Sequence, residues 1–404
     1  MNQKAAPIFL IFTLLVATLM VIPSVKAAPL IWSDEIRLTT NVTLDGYPSI
    51  AQMNDGRIWI AWKARRDGNS NIYYKIYNWK WSDDKRLTTD IKEDISPSIT
   101  QLKNLTIWVV WPSNRMSSYD LFYKSSSDNG LSWSNDTRLT TSGNNYQPSV
   151  LQTSDGKIWV AWMADLTTTY DIYYKVFNGS TWSNDTPLIT DSSLDNNPVL
   201  IQTQNGKIWI IWSSNRSGDF EIYYKTFDGT TWSPDEPLTT DTKKDDTDPA
   251  IFQTVDGVIW VIWASSAFSP TATDDLYYKT SSDNGSTWSA TTQFTTNPSD
   301  DTWPAAIQAR DKSIWIIWGA NRDSDGNWDL FYKTTLLGDV NNSGSIDMED
   351  LALIARALLT APASGGTPGD WWAWNPACDL TNDGIVDGLD LAIAGKNYGR
   401  FAPP

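Results

Sequence analysis

The chain has 404 residues, of which 41 % are hydrophobic, and a formal net charge of −16. It is long for one ordinary domain and has enough apolar content for a sizeable core, so two folded units are expected. The negative charge argues against nucleic acid or an anionic membrane as a partner. The lack of histidine excludes His-dependent nucleophilic triads and most zinc sites, which leaves carboxylates, Tyr, Lys or Arg for any catalysis. The single cysteine, Cys378, cannot form an internal disulfide.

The first element is an apolar run at residues 7–23 that follows Lys4. Val25 and Ala27 place small residues just before a cleavage site after Ala27, so we predict a secretory signal peptide at residues 1–27. An uncleaved membrane anchor is the alternative, because about 17 apolar residues can span a bilayer. Cleavage removes Lys4 and Lys26 and brings the net charge to −18, which suits an extracellular protein that binds calcium.

Six copies of one unit follow. The tryptophan that ends each IWxxW run recurs at intervals of 49, 51, 50, 51 and 55 residues, at Trp62, Trp111, Trp162, Trp212, Trp263 and Trp318. Each unit reads as a Pro-led segment, a turn, IWxxW, a polar loop and a YYK segment, followed by a WSxxxxLTT-type segment. These short runs are rich in Ile, Val, Trp and Tyr, and turn residues separate them, which predicts four antiparallel strands.

Four-stranded units repeated six times predict an all-β six-bladed propeller at residues 28–335. The sixth unit has no WS…LTT segment after Lys333, whereas one such segment, at residues 32–40, precedes the first unit. We therefore predict that residues 32–40 form the fourth strand of the last blade. This pairing would close the ring without disulfides and leave no strand edge open there.

Two units contain SSDNGLSW (residues 126–133) and SSDNGSTW (residues 281–288). These match the S-x-D-x-G-x-x-W Asp box (BNR repeat), and residues 30–335 resemble the sialidase-like propellers. In that family the Asp box is a folding element on the face away from the active site. The family's Arg-Ile-Pro signature is absent here, where the chain has YPSI at residues 47–50.

The loops of the opposite face supply a candidate ligand face that recurs from blade to blade. Its arginines follow IWxxW, and its acidic residues lie three positions before the Pro of a unit, with Asn145 in that place in the third unit. The candidates are Arg66, Arg115, Arg216, Arg322, Asp45, Asp94, Asp195, Asp246 and Asp301. Three interpretations remain open: bracing of loops, a ligand site in which Arg clasps a carboxylate, and sialidase-type catalysis. Recurrence favours bracing, for which Asp120, Asp171, Glu221, Asp275 and Asp329 are the expected partners.

After Lys333 the sequence changes to two loops with the spacing of calcium-binding EF-hand loops. Oxygen ligands are expected at loop positions 1, 3, 5, 7, 9 and 12, with glycine at position 6 for the bend. In the first loop these are Asp339, Asn341, Ser343, Ser345 through its carbonyl, Asp347 and Asp350. In the second they are Asp379, Thr381, Asp383, Ile385 through its carbonyl, Asp387 and Asp390. We therefore predict two Ca²⁺ ions.

Asp rather than Glu at position 12, no entering helix and DLAxxA helix starts make residues 338–400 resemble a type I dockerin, a small all-α module. The resemblance implies cohesin as the partner. By the same resemblance, its contacts are Met348, Glu349 and Arg356 in one half and Gly388, Leu389 and Lys396 in the other. Packing within the helices is the alternative for Met348 and Leu389. Trp371, Trp372 and Trp374 between the halves are expected to pack on the helices or to form a platform for a sugar.

The predicted protein is thus a secreted propeller tethered by a calcium-dependent dockerin, with a role in polysaccharide breakdown. Its propeller is expected to bind or process glycans. The alternatives are a sialidase-like glycoside hydrolase and a propeller for adhesion or protein interaction. A hydrolase requires one set of unlike acid, nucleophile and clasp residues at the top face, whereas a binding protein can use repeated groups.

Overall fold

The computed structural model describes residues 30, 32–40, 43–66, 68–78, 80–166, 169–240, 244–267, 273–322, 326–335, 348–357, 378, 380, 386 and 388–397. The chain divides into the units Met1–Leu30 and Ile31–Pro404, and the second is described below. The predicted signal peptide lies outside the described residues. No described helix has the length and apolar content that crossing a membrane requires.

Within this described part, 24 strands form six four-stranded antiparallel sheets, which are the blades. Blades 1 to 3 consist of β2 (Asp45–Gln52), β3 (Ile58–Arg66), β4 (Asn69–Tyr77) and β5 (Lys85–Arg86); β6 (Ser98–Gln101), β7 (Ile107–Ser113), β8 (Asp120–Ser126) and β9 (Thr137–Arg138); and β10 (Asn145–Gln152), β11 (Ile158–Ala164), β12 (Asp171–Phe177) and β13 (Thr186–Ile189). Blades 4 to 6 consist of β14 (Asp195–Gln202), β15 (Ile208–Ser214), β16 (Glu221–Phe227) and β17 (Glu236–Pro237); β18 (Lys244–Gln253), β19 (Ile259–Ala267), β20 (Asp275–Ser281) and β21 (Thr292–Gln293); and β22 (Asp301–Gln308), β23 (Ile314–Ala320), β24 (Asp329–Thr334) and β1 (Ile36–Arg37).

The IWxxW runs form the second strand of each blade and supply its core. In β3, Ile60 and Trp62 pack with blade 6, whereas Trp59 and Ala61 on the other face pack with blade 2. Successive side chains of a strand point to opposite faces, so a blade between two neighbours must be apolar on both. The six tryptophans that end these runs are each at most 1 % exposed.

The last blade is closed by the start of the propeller, as the repeat count predicts. Its strand order is β22, β23, β24, β1, with Ile36 opposite Tyr332. Trp32 forms a bridge with Thr335 and its ring packs edge-on against Phe294, with centroids 5.0 Å apart. The six-bladed propeller and its closing N-terminal strand are therefore confirmed.

The first strands of the six blades surround a central cavity of about 520 Å³. At the end of each first strand lies a glutamine whose amide joins two blades. Gln52 donates to the carbonyl of Gly56 in its own turn, and its oxygen accepts the N–H of Arg310 in blade 6 at 2.8 Å. The same contact joins every successive pair of blades through Gln101, Gln152, Gln202, Gln253 and Gln308. We call these six residues the glutamine ring.

The SSDNG turns join the third and fourth strands of blades 2 and 5 on the same end as the glutamine ring. The carboxylate of Asp128 accepts hydrogen bonds from Ser126 Oγ and from the N–H of Ser132, at 2.7 and 2.9 Å. Asp283 repeats this pattern in blade 5. Gly130 has φ +80° and lies against the indole of Trp59 in the preceding blade. The turn therefore connects two blades.

Two helices, α1 (Met348–Ala357) and α2 (Gly388–Asn397), are the only described helices. Ile354 and Ala394, four residues beyond Asp350 and Asp390, pack with Cys378 and Val386 in one small core. The helices begin in equivalent ways, because each first turn holds one of these aspartates.

Candidate functional site

The predicted ligand-face arginines are ion-paired inside their own blades. Arg115 contacts Asp94 at 3.1 Å and Asp136 at 2.6 Å, and Arg216 contacts Asp195 at 3.1 Å and Asp235 at 2.8 Å. Arg66 pairs in the same way with Asp45 and Asp84, and Arg322 pairs with Asp301 and Glu35. The outer acid of each set also binds the lysine of the YYK-type strand, as in Lys124 to Asp136 at 2.9 Å.

The acidic members of the predicted face are almost fully buried. Asp45, Asp94, Asp195 and Asp301 are 0 % exposed and Asp246 is 4 % exposed. Their backbone N–H groups join the blades; that of Asp246, for example, donates to the carbonyl of Phe220 in blade 4. Burial raises the pKa of Asp45 and of Asp301 to about 6, against the opposing effect of Arg66 and Arg322. Repeated, buried and paired groups of this kind brace the blades.

The bracing partners differ from those expected. Arg115 binds Asp94 and Asp136, whereas Asp120 binds Arg138 of the adjacent outer strand at 2.6 Å. In the last blade Asp329 likewise pairs with Arg37. The reason is the strand register, because β9 pairs Arg138 with Phe122 of β8, two residues after Asp120. Asp120 and Asp329 therefore hold the fourth strand of their blades.

The residues that differ from blade to blade at this end lie two positions after the acidic residues, in the first strand region of each blade. A bulge that contains the Pro and the residue before it interrupts the pairing in five blades; in blade 1 it falls between Gly46 and Ser49. The residue immediately before the Pro has a positive φ of 42° to 54° in all six blades, and these six side chains line the mouth of the central cavity. We call them the mouth ring: Tyr47, Ser96, Gln147, Asn197, Asp248 and Trp303. No two are alike, whereas the position two residues before them is Asp in five blades and Asn in the third.

Trp303 and Tyr47 stack across the seam between the last and first blades, with ring centroids 4.2 Å apart and an interplanar angle of 22°. Two glycines make room for this stack. A Cβ at Gly46 would lie 2.6 Å from Trp303, and one at Gly319 would lie 2.8 Å from it. Trp328 also packs against Trp303, at 4.6 Å between centroids. The seam therefore holds a fixed aromatic surface at the cavity mouth.

Asp248 lies beside this aromatic surface. Its carboxylate accepts hydrogen bonds from the Asn197 amide and from Thr302 Oγ1, the latter at 3.0 Å. Burial, followed in effect by the charge of Asp274, raises the pKa of Asp248 to about 6. Burial and the field of Asp248 in turn raise the pKa of Tyr47 to about 12. At neutral pH the ring thus offers a carboxylate, two amides, a hydroxyl, a phenol and an indole.

A second cavity, of about 390 Å³, adjoins the mouth ring over blades 1 to 4 and shares Tyr47, Ser96 and Gln147 with it. We call it the side cavity. The rest of its lining consists of Lys63, Ile95, Tyr146, Met163, Tyr170, Leu194 and Asn196. Tyr146 packs between Tyr119 and Tyr170, with centroids 4.9 and 6.1 Å away, and burial raises its pKa to about 12. The two cavities together form one concave, aromatic and polar surface.

Of the predicted calcium ligands, the structure describes the two at loop position 12. Asp350 and Asp390 are both 0 % exposed, and a fully buried carboxylate fits the donor set of a hard cation. The remaining ten, Asp339, Asn341, Ser343, Ser345, Asp347, Asp379, Thr381, Asp383, Ile385 and Asp387, lie outside the described residues, as do Trp371, Trp372 and Trp374. Elsewhere in the described chain, no cluster of three or more acidic, His or Cys side chains is placed to hold a metal ion.

The predicted partner contacts begin the two helices. Met348 is 64 % exposed and Leu389 is 62 % exposed, and their neighbours Glu349 and Gly388 are also exposed. Packing within the helices therefore does not account for Met348 and Leu389. Arg356 and Lys396 lie in the last turns of α1 and α2, and their side chains lie outside the described part.

Residues 337–397 match the family model described as the dockerin type I domain. This segment is a type I dockerin. Helices α1 and α2, with their buried aspartates and exposed first residues, are therefore the dockerin helices. Domains of this type typically bind calcium and pair with cohesin. Among curated proteins, none matches the chain in sequence.

Solved structures similar to this chain share its propeller fold. One is a protein of unknown function from Dyadobacter fermentans, 13 % identical, with a TM-score of 0.63 over 74 % of this chain and 97 % of that chain. Another is an α-L-arabinanase of Penicillium chrysogenum complexed with arabinobiose, 15 % identical, with a TM-score of 0.55 over 75 % and 96 %. A third is the NanB sialidase of Streptococcus pneumoniae, 11 % identical, with a TM-score of 0.57 over 74 % and 70 %. At these identities the likeness is one of fold.

The mouth ring was missed in the sequence, although a signal for it is present there. Aligning the six units on their Pro residues shows a position that holds Tyr, Ser, Gln, Asn, Asp and Trp in turn. Charge alone points to the position three before each Pro, which is Asp in five units and Asn in the third. A position that varies within an otherwise repeated unit is the better indicator of a single ligand site.

Proposed function

We propose that this protein is secreted through a signal peptide at residues 1–27, is tethered by its dockerin to a cohesin-bearing partner, and binds glycans at the mouth ring. The observation that carries the glycan site is the difference among the six mouth-ring residues. A ligand without sixfold symmetry needs unlike groups around it, and the six blades place six different side chains around this mouth.

The chemistry of the ring suits a sugar. The stacked pair of Tyr47 and Trp303 offers an apolar face next to polar groups. Asn197, Asp248 and Gln147 supply amide and carboxylate partners for hydroxyl groups. The similar propellers named above include an arabinanase with bound arabinobiose and a sialidase, both of which act on sugars. A role in polysaccharide breakdown follows from combining such a site with a dockerin.

The dockerin part of the proposal rests on calcium and on the helix starts. Two Ca²⁺ ions are held by the two predicted loops, and Asp350 and Asp390 supply the ligands at position 12. Cohesin contacts Met348 and Glu349 with Arg356, and Gly388 and Leu389 with Lys396. The exposure of Met348 and Leu389 supports this role, because apolar side chains left in water at the start of two helices suit a partner surface. The SSDNG turns serve as Asp boxes.

Glycoside hydrolysis is a second candidate, and Asp248 favours it. A carboxyl group with a pKa near 6 is suited to act as a general acid, and Asp274, whose pKa burial also raises, is a second carboxyl whose charge reaches Asp248. The ion-paired arginines of the blades are unsuited to clasp a substrate carboxylate, because each is already held by two acidic side chains.

A glycan array followed by a sugar-release assay, both with the full chain, tests this function. Gln147→Ala and Asn197→Ala are expected to weaken retention of the bound glycan by about tenfold or more. Lys157→Gln is the control, because Lys157 is half exposed on a turn at the opposite end of the blades. Near-UV circular dichroism checks that each variant is folded. Retention that is equal in all variants, or no retained glycan, would overturn the glycan site.

The sugar-release assay separates the two candidates. Release that Asp248→Asn abolishes while binding persists would establish hydrolysis at the mouth ring. Binding without release from any glycan that the array retains would establish a binding module.

A further inference from the structure

The side cavity contains one cation that the repeat does not call for. Lys63 on β3 lies opposite Gly46 of β2. The corresponding residues in blades 3 to 6 are Met163, Ser213, Ala264 and Gly319. In blade 2 the residue is Pro112, whose carbonyl accepts the N–H of Ile95. Only blade 1 therefore places a charge at this point of the top face.

The ammonium group of Lys63 has no close counter-ion. Among the described residues, no carboxylate forms an ion pair with it, and its Nζ lies 5.5 Å from the centroid of the Tyr47 ring. Burial lowers the pKa of Lys63, and the charge of Glu93 only partly opposes this. Glu93 is itself engaged, since it accepts the N–H of Ser70 at 3.2 Å. A partly buried and unpaired ammonium is costly unless an anion joins it.

The other walls of the side cavity match the body of a sugar. Tyr146 and Tyr170 give it an aromatic wall, and Ile95, Met163 and Leu194 add apolar contacts. Asn196 also lines the cavity, and its Oδ1 is buried without a hydrogen-bond partner among the described residues, a partner that a ligand hydroxyl would supply. Cation, aromatic wall and free acceptor face a space of about 390 Å³, which lies within the size range of small-ligand sites.

We propose that the side cavity binds a sugar residue that carries an anionic group. The anion lies against the ammonium group of Lys63, the sugar ring packs on the tyrosine wall, and a hydroxyl donates to Asn196 Oδ1. This inference rests on the proposed glycan binding and adds the class of ligand. A carboxylate and a sulfate group are the two chemical sources of such an anion.

Calorimetric titration of the full chain with three oligosaccharides of equal length tests the proposal: one of uronate residues, one sulfated and one neutral. At least one anionic ligand is expected to bind about tenfold tighter than the neutral one, and to lose that advantage at high ionic strength. The stronger of the two anionic ligands identifies the source of the charge.

Lys63→Met should abolish the preference for the anionic ligand while leaving the weaker neutral binding, whereas Lys157→Met should change neither. The salt dependence of the unsubstituted protein gives a second readout that does not require the variant to fold. Equal binding of all three ligands, or a preference that survives in Lys63→Met, would refute the inference and leave glycan binding intact. Binding of none of them would refute the proposed function as well.

Discussion

The hydroxyl of Thr39 donates to the buried carboxylate of Asp329 at 3.0 Å, across 290 residues of chain. In blade 2 the equivalent contact, from Thr140 to Asp120 at 3.4 Å, spans 20 residues. One local interaction, repeated in the last blade between the two ends of the propeller, therefore acts there as the clasp of a ring.

Deletion of residues 31–40 should destabilise the whole propeller. The last blade would lose its fourth strand, the buried side chain of Leu38 and the cover that Trp32 gives to Phe294. Together with the lost hydrogen bonds, this should cost about 4 kcal/mol or more of the free energy of unfolding. Differential scanning calorimetry measures it.

Two matched substitutions separate the effect of losing an ion pair from the effect of opening the ring. Arg37→Ala and Arg138→Ala each remove an equivalent ion pair, with Asp329 and with Asp120. Arg37→Ala should lower the melting temperature more. The chain enters a blade on only one side of the strand that holds Arg37, whereas the strand that holds Arg138 lies between two blade strands in the chain. A deletion variant that melts together with the intact chain would rule out the clasp.

Gly130→Ala should be far more destabilising than Gly156→Ala. Both glycines have positive φ, +80° and +90°, so both substitutions strain the backbone by about 1 kcal/mol. A Cβ at Gly130 would also lie 2.3 Å from the Trp59 indole, whereas one at Gly156 meets nothing within 4 Å. Overpacking should add about 1–3 kcal/mol for Gly130→Ala alone. Urea unfolding measures both, and equal losses would show that the turn does not pack on the neighbouring blade.

Asp248 should make the protein less stable as the pH rises from about 4 to about 6. Its folded pKa of about 6 lies above the ordinary 3.8, so in this range the folded state binds more protons than the unfolded state. Asp248→Asn should therefore flatten the pH profile by about 2 kcal/mol between these limits. Thermal unfolding at a series of pH values tests this. Because Asp45 and Asp301 contribute in the same sense, the informative quantity is the difference between variant and parent, and identical profiles would contradict the assignment.

Removal of calcium should unfold α1 and α2 and abolish cohesin binding, while the propeller keeps its melting transition. The physical reason is that Asp350 and Asp390 would be left as buried carboxylates without their cation. Circular dichroism in chelator, with calcium added back, follows the helices, and a cohesin pull-down follows binding. Helicity that is unchanged in chelator would contradict a calcium-dependent dockerin.

The architecture was predictable because its signals recur. Six copies of IWxxW predict strands that are buried on both faces. The one WSDEIRLTT segment without a unit of its own predicts the strand that closes the last blade, because counting strands requires no knowledge of side-chain geometry. The mouth ring depends instead on a bulge formed by a residue and the Pro after it, as in blades 1 and 5, where the bulge places Tyr47 and Asp248 at the cavity. A pattern of strand periodicity does not report such a bulge. The choice of Asp136 over Asp120 as the partner of Arg115 likewise depends on register between neighbouring strands.

The glutamine ring has a consequence for how such a molecule can change. At that end the same glutamine contact joins every pair of neighbouring blades. The contact between blades there does not depend on the residues that a blade carries at the other end. A mutation at Ser96 or Gln147 changes the proposed ligand surface and leaves the glutamine ring untouched. The six mouth-ring side chains can therefore be exchanged without changing the contacts that join the blades. Substitutions at those six positions should yield new ligand specificities on the same propeller.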